Sequence, residues 1–323
     1  MIKKQKIGII ILKIIIIGIA WIYVGWKITE YKNTFNSLDV LSFSKTQILK
    51  LCIVLLLMLI NWSIEAKKWQ FSLRSVTTIS FQKSFYAILT GTTFGIISPN
   101  RIGEPLGRIS QLDSQYRESG ISAGVLCSVG QFTSTILAGS IAFPLFINQF
   151  VYFSNKLIAF GIAAIGIVLM LILYSNVKHL GKLLKKIPYI KRYELFIEHF
   201  QNTNFADLGI ILALSSIRYI IFLLQFYLIL HVFSINISFA DSCIAVGMIY
   251  LVTTVIPTTT IAELGIRCSS SVYFIGFYCN KPLLIISASM LLWLINVSFP
   301  AILGSLFFLN WKRKSKLESE QKK

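Results

Sequence analysis

The feature that most constrains this chain is a series of apolar runs, each about as long as a helix must be to cross the hydrocarbon core of a bilayer, roughly 20 residues. Six segments read this way: 7–26, 48–66, 119–142, 156–174, 207–230 and 283–309. Helices on the surface of a water-soluble domain need a polar face, and these runs have too little charge to supply one. Composition agrees, with 55% of the 323 residues hydrophobic and 14% charged, against about 25% charged in soluble domains. The expected fold is all-α and polytopic: one transmembrane domain over 1–310, then a basic tail, 311–323. The run behind Lys3, Lys4 and Lys6 continues to Trp26 with no small-x-small cleavage site after it, so it reads as an uncleaved first span rather than a signal peptide.

Two further apolar segments, 81–98 and 240–257, behave differently. Each runs into a proline and then a short polar stretch holding Gly, Glu and Arg. Charge distribution says how they lie. With the N-terminus inside, the inner segments (the N-terminal tail, 67–118, 175–206 and the C-terminal tail) carry 22 Lys or Arg, and the outer ones carry 7. Basic residues favour the cytoplasmic side, so both termini are expected in the cytoplasm, in the cytoplasmic membrane. By parity, 81–118 then starts and ends inside, while 231–282 starts and ends outside. Two re-entrant hairpins entering from opposite faces satisfy this. Their tips must be buried in protein or line a polar cavity, because lipid cannot satisfy non-helical backbone. The order span, hairpin, span then occurs twice, as an inverted repeat. That is a transporter architecture with its site at the repeat interface.

The net charge of +18 points to anionic or phosphate-bearing membrane lipids as partners rather than nucleic acid, since the basic residues lie between apolar segments. Segment 178–199 is basic with Leu, Ile and Phe interleaved, which fits a helix on the inner leaflet broken at Pro188. Five scattered cysteines and three separated histidines form no C-x-x-C pair and no cluster. No metal site, cofactor or disulfide framework is therefore expected. The chain has no D-x-D, G-x-S-x-G, H-E-x-x-H or P-loop motif, so an enzyme is not the expected class.

The candidate site residues sit at the two interruptions. SPNRIGEPLGR contributes Asn100, Arg101, Gly103, Glu104 and Arg108; PTTTIAELGIR contributes Glu263, Gly265 and Arg267. Charge at membrane depth is costly unless paired or hydrated, which marks these residues and the intraspan Arg218 as functional candidates. Gly and Pro permit a helix break, and the backbone N–H groups it frees can hold an anion together with Arg. The alternative is a salt bridge that only pins each tip. Glu65, Lys67 and Lys68 read as an interfacial anchor beside Trp69.

These motifs resemble the flippase-like family defined by the membrane region of lysylphosphatidylglycerol synthase, over residues 5–310. SPNRIGEPLGR is similar to the family's Pro-x-Arg-x-Gly-Glu…Arg signature, PTTTIAELGIR to its second Pro…Gly-hydrophobic-Arg motif, and KKWQFSLR at 67–74 to its basic-Trp stretch. In the second motif the acid stands before the Arg, as Glu263, and Cys268 follows it. The resemblance implies a stand-alone lipid translocase module without a synthetase domain. Its cavity would lie between the tips, with Arg101, Arg108 and Arg267 on a phosphate headgroup and Glu104 and Glu263 orienting them or coupling a proton. A second reading is an accessory of envelope lipid or glycan synthesis that binds a lipid-linked intermediate without moving it. A third is a membrane-embedded transferase.

Overall fold

The computed structural model describes residues 44–98, 101–151, 156–179, 194–256 and 260–309, with Ile22 and Trp26. Every regular element among them is helical. In chain order these are α1 (Lys45–Leu73), α2 (Phe81–Ile97), α3 (Gly103–Arg108), α4 (Arg117–Phe150), α5 (Lys156–Ser175), α6 (Glu194–Asn202), α7 (Phe205–Val232), α8 (Phe239–Val255), α9 (Thr260–Gly276) and α10 (Pro282–Trp293). Helix α10 passes through a π-helical turn, Leu294–Ser298, into a stretch that reaches Leu309.

Five stretches are long and apolar enough to cross a membrane: Lys45–Leu73, Ser114–Phe150, Lys156–Ser175, Phe205–Val232 and Pro282–Leu309. They coincide with five of the six spans read from the sequence; the sixth, 7–26, lies outside the described residues. Helix α5 turns Leu157, Ile162, Ile165 and Leu173 outward, a surface that hydrocarbon covers and water does not. The end of α4 lies 8 residues beyond the expected 142 and that of α1 lies 7 beyond the expected 66. The apolar run ends at Ala66, but Lys67–Leu73 contains no Gly or Pro, so nothing stops the helix before Leu73.

The chain forms two compact units. One comprises Met1–Met58, Thr135–Ile167 and Ile220–Leu294; the other comprises Leu59–Ser134, Val168–Tyr219 and Ile295–Lys323. Helices α1, α4, α5, α7 and the α10 stretch each contribute residues to both. The unit built on 220–294 contains α8 and α9, which pack on each other, and α9 packs on α10. Phe146 of α4 meets Phe274 and Phe277 of α9 edge to face there.

In the unit built on 59–134, α2 is held between two neighbours. On one side Gly304 approaches the Leu89 carbonyl so closely that a Cβ would lie 2.0 Å away, and Thr93 Oγ1 donates to Ala301 O at 2.7 Å. On the other side lies α3, where a Cβ on Gly107 would meet Gly91 Cα at 2.7 Å. Helix α6 buries Ile197 and Phe200, and Phe200 joins a core of Leu126, Tyr174, Val177 and Leu208. The described end of the 178–199 segment thus packs on protein rather than on the leaflet, because its apolar residues find a protein groove to fill; 180–193 lie outside the described residues.

The two halves of the chain match in element length and capping. Helices α1 and α7 have 29 and 28 residues, and α2 and α8 have 17 each. Ser80 caps α2 by accepting from Lys83 N, and Ser238 caps α8 by accepting from Asp241 N. Residues 79–87 and 237–245 both read Ile-Ser-Phe-x-x-Ser-x-x-Ala, 158 residues apart, as are Pro99 and Pro257. The halves part after the proline: α3 has 6 residues and α9 has 17.

Candidate functional site

Four helical segments of the 59–134 unit converge on one carboxylate. Asn61, Glu65 and Lys68 occupy one face of α1, at the i, i+4, i+7 spacing that aligns side chains along a helix. They are 1%, 3% and 0% exposed. Short α3 supplies Glu104 and Arg108, α4 supplies Gln131 and the Cys127 carbonyl, and α7 supplies Ser215 and Arg218.

Glu65 divides its oxygens among three cations. Oε1 forms an ion pair with Arg108 Nη2 at 2.8 Å. Oε2 accepts from Lys68 Nζ at 2.8 Å and pairs with Arg218 Nη1. Arg218 also donates from Nε to Asn61 Oδ1 at 2.7 Å and from Nη1 to Gln131 Oε1 at 3.0 Å. Lys68 Nζ donates to Ser215 Oγ at 3.1 Å and to the Cys127 carbonyl at 3.2 Å. Arg108 Nη2 is shared with Glu104 Oε1. Arg108 is 2% exposed, yet its Nε and Nη1 meet no hydrogen-bond partner among the described residues.

The seat of Arg108 is built by glycine and by an unusual turn. A Cβ on Gly103 would lie 2.5 Å from Phe94 O, so only glycine lets α3 begin this close to α2. Gly103 N donates to Ser98 Oγ at 2.7 Å. Arg101, just before it, adopts φ 55, a left-handed conformation that costs a non-glycine residue about 1 kcal/mol or more and that clusters at functional sites.

The second interruption builds a smaller constellation in the other unit. Arg267 Nη2 donates to Glu263 Oε1 at 2.8 Å, and its guanidinium lies 5.4 Å from the Tyr250 ring centre, within cation–π range. Gly265 sits inside α9 and accepts from Ser269 Oγ at 2.8 Å. Both interruptions therefore carry Glu and Arg four residues apart on a helix. Among the described residues, no three His, Cys, Asp or Glu side chains come together in a metal-binding group.

The family model described as "Lysylphosphatidylglycerol synthase TM region" matches residues 7–304. The chain belongs to that family. No curated protein and no solved structure matches it. Membership, with the five apolar stretches, makes the chain a multi-pass membrane protein.

In this lysylphosphatidylglycerol synthase TM-region protein, three of the residues singled out from sequence, Glu104, Arg108 and Arg218, meet in one cluster. Arg101 and Gly103 stand at the start of the helix that carries two of them. Glu263, Gly265 and Arg267 belong to the other unit, and Asn100 lies outside the described residues. The expectation that Glu65 and Lys68 anchor an interface is overturned. Both are buried, because α1 runs on past them, and Trp69 is buried too, donating from Nε1 to Gly120 O at 3.3 Å. Lys67 alone faces outward, over the Phe81 ring at 5.3 Å. The spacing of Asn61, Glu65 and Lys68 was the available signal for this polar face. Gln131 and Ser215 carry no comparable sequence mark.

Proposed function

We propose that this protein translocates a phosphate-bearing membrane lipid, and that the cluster around Arg108 is a station for the headgroup. The observation that carries the proposal is a guanidinium buried to 2% exposure, two of whose nitrogens meet no hydrogen-bond partner among the described residues. Burying charge is expensive, and leaving buried donors unsatisfied costs more. A lipid phosphate would satisfy them, and guanidinium suits phosphate geometry better than any other side chain. Family membership supports lipid as the source of that group. The Glu263–Arg267 pair offers a second station of the same chemistry.

Helix lengths support re-entrant packing of the first interruption. At 1.5 Å per residue, the 17 residues of α2 extend roughly 25 Å and the 6 of α3 roughly 9 Å, against roughly 30 Å of hydrocarbon. The proposed setting is the cytoplasmic membrane with both termini inside, and no chemistry on the lipid is part of the reading.

The test is reconstitution into vesicles containing fluorescent phosphatidylglycerol, with a membrane-impermeant reductant reporting how much of it reaches the outer leaflet. Wild-type protein should expose nearly all of the probe. Arg108→Ala, checked to be folded and inserted, should return exposure to the protein-free level. Normal movement in Arg108→Ala would refute the station. Retained lipid binding by a wild-type protein that moves nothing would favour the accessory reading instead.

A further inference from the structure

The seam between α1 and α7 that carries Lys68 continues one turn past the cluster and ends under α6. Lys68 Nζ donates to Ser215 Oγ at 3.1 Å. Ser72 stands four residues after Lys68 on α1, and Ile211 stands four before Ser215 on α7, each one helical turn, or about 5.4 Å, further along. Ser72 and Ile211 line a cavity of about 20 Å³ together with Arg74, His199, Asn202 and Asp207, which is room for about one water. Helix α6 forms one wall of it through His199 and Asn202.

The surroundings of His199 disfavour its charged form. The residue is 7% exposed, and its Nε2 meets no hydrogen-bond partner among the described residues, whereas an imidazolium must donate from both nitrogens. The Asp207 carboxylate on α7 is already paired with Arg74, and Arg74, just past α1, brings a positive charge to the same cavity. The faces that α4, α5 and α7 pack against α6 hold Leu126, Tyr174 and Leu208, and the Tyr174 hydroxyl donates to Leu208 O at 2.8 Å. Glu194 and Glu198 on α6 are exposed, as are Lys178 and His179 past α5. Burial holds the His199 ring pKa below its ordinary value, and Asp207 offsets this only in part.

We infer that α6 is a pH-released plug: it caps the α1–α7 seam while His199 is neutral, and protonation of the ring undocks it and opens the seam toward Lys68. Linkage gives the sign. The ring titrates at about 6.5 when undocked and lower when docked, so docking is complete above that pH and weakens by up to about tenfold for each unit below it. Undocking uncovers Ile197 and Phe200, which the docked helix buries, and it is a local opening of one nine-residue helix. The plug is independent of the headgroup reading and stands or falls without it.

Hydrogen exchange of the purified full chain in detergent, corrected for the intrinsic pH dependence of amide exchange, is read over 194–202 at pH 7.5 and pH 5.5. Wild type should lose protection about tenfold at the lower pH. His179→Gln and His231→Gln should respond as wild type does, and His199→Phe should stay protected at both values. Unchanged protection in wild type, or a response that persists in His199→Phe, overturns the plug. If His199→Phe is unprotected at both values, the wild-type ring decides. Its ring-nitrogen NMR signal, identified by its absence in that variant, should titrate below about 6.5 in step with the loss of protection; titration at or above that value overturns the proposal. Ser72→Cys, in a chain freed of its five native cysteines, reports on the seam. Its rate with a water-soluble maleimide, divided by that of a cysteine at exposed Ser44, should rise about tenfold between pH 7.5 and pH 5.5. A flat ratio would mean that α6 does not cap the seam.

Discussion

Glu65 is the residue on which the buried charges depend. One carboxylate serves cations from its own helix, from α3 and from α7, and Lys68, Arg108 and Arg218 are all buried. Removing one partner of a buried ion pair strands the others, at a cost of about 3–5 kcal/mol. Glu65→Gln should lower thermal stability by that order in the purified protein. Adding Lys68→Met should restore a large part of the loss, because the second change removes one of the charges left stranded. Such non-additivity is the signature of directly coupled groups. Strictly additive losses in the double-mutant cycle would show that Glu65 and Lys68 stabilise the fold independently.

At the scale of elements, α3 is too short to hold itself. Six residues make fewer than two turns, and an isolated helix of that length does not persist in water. It is held by its contact with α2, Gly107 on Gly91 and Gly103 on the Phe94 carbonyl. Gly91 matters from the other side as well, since a Cβ there would meet Arg108 Cγ and the Glu104 carbonyl, each at 2.8 Å. Gly107→Val should therefore lift α3 off α2 and draw Arg108 away from Glu65. The expected result is an overpacking cost of about 1–3 kcal/mol together with loss of phosphatidylglycerol binding, read by thermal unfolding and by lipid titration of the same preparation. Full binding in a destabilised Gly107→Val protein would mean that this seat does not place Arg108.

For the whole molecule, the decisive quantity is the number of crossings. Five described stretches can span a bilayer; with the apolar run at 7–26 as a sixth, as proposed, an even count would put both termini on one side. The distribution of 22 basic residues against 7 is the ground for proposing the cytoplasm as that side. A reporter active only in the cytoplasm should work when fused at Lys323 and fail when inserted within 143–155; a reporter active only outside should do the reverse. An outside-active fusion at Lys323 would overturn the proposed orientation of every element.

The sequence alone determined that this is a helical membrane protein, because an apolar run of roughly 20 residues has few other stable fates. It located five of the described crossings to within a few residues at most ends. It also marked both interruptions, since proline, glycine and paired charge in an apolar run are local signals. The repeat was read from the order of elements alone; the match of Ile-Ser-Phe-x-x-Ser-x-x-Ala at 79 and 237 emerged only when α2 and α8 were set side by side. Tertiary structure alone decided which charges meet. Glu65 read as an interfacial residue because the apolar run ends at Ala66, and only the continuation of α1 to Leu73 places it in the interior. Its partners stand 43 and 153 positions away, at Arg108 and Arg218. No periodicity within one helix encodes a contact between three helices. The grouping of Lys68, Arg108 and Arg218 on Glu65 follows from how the helices pack.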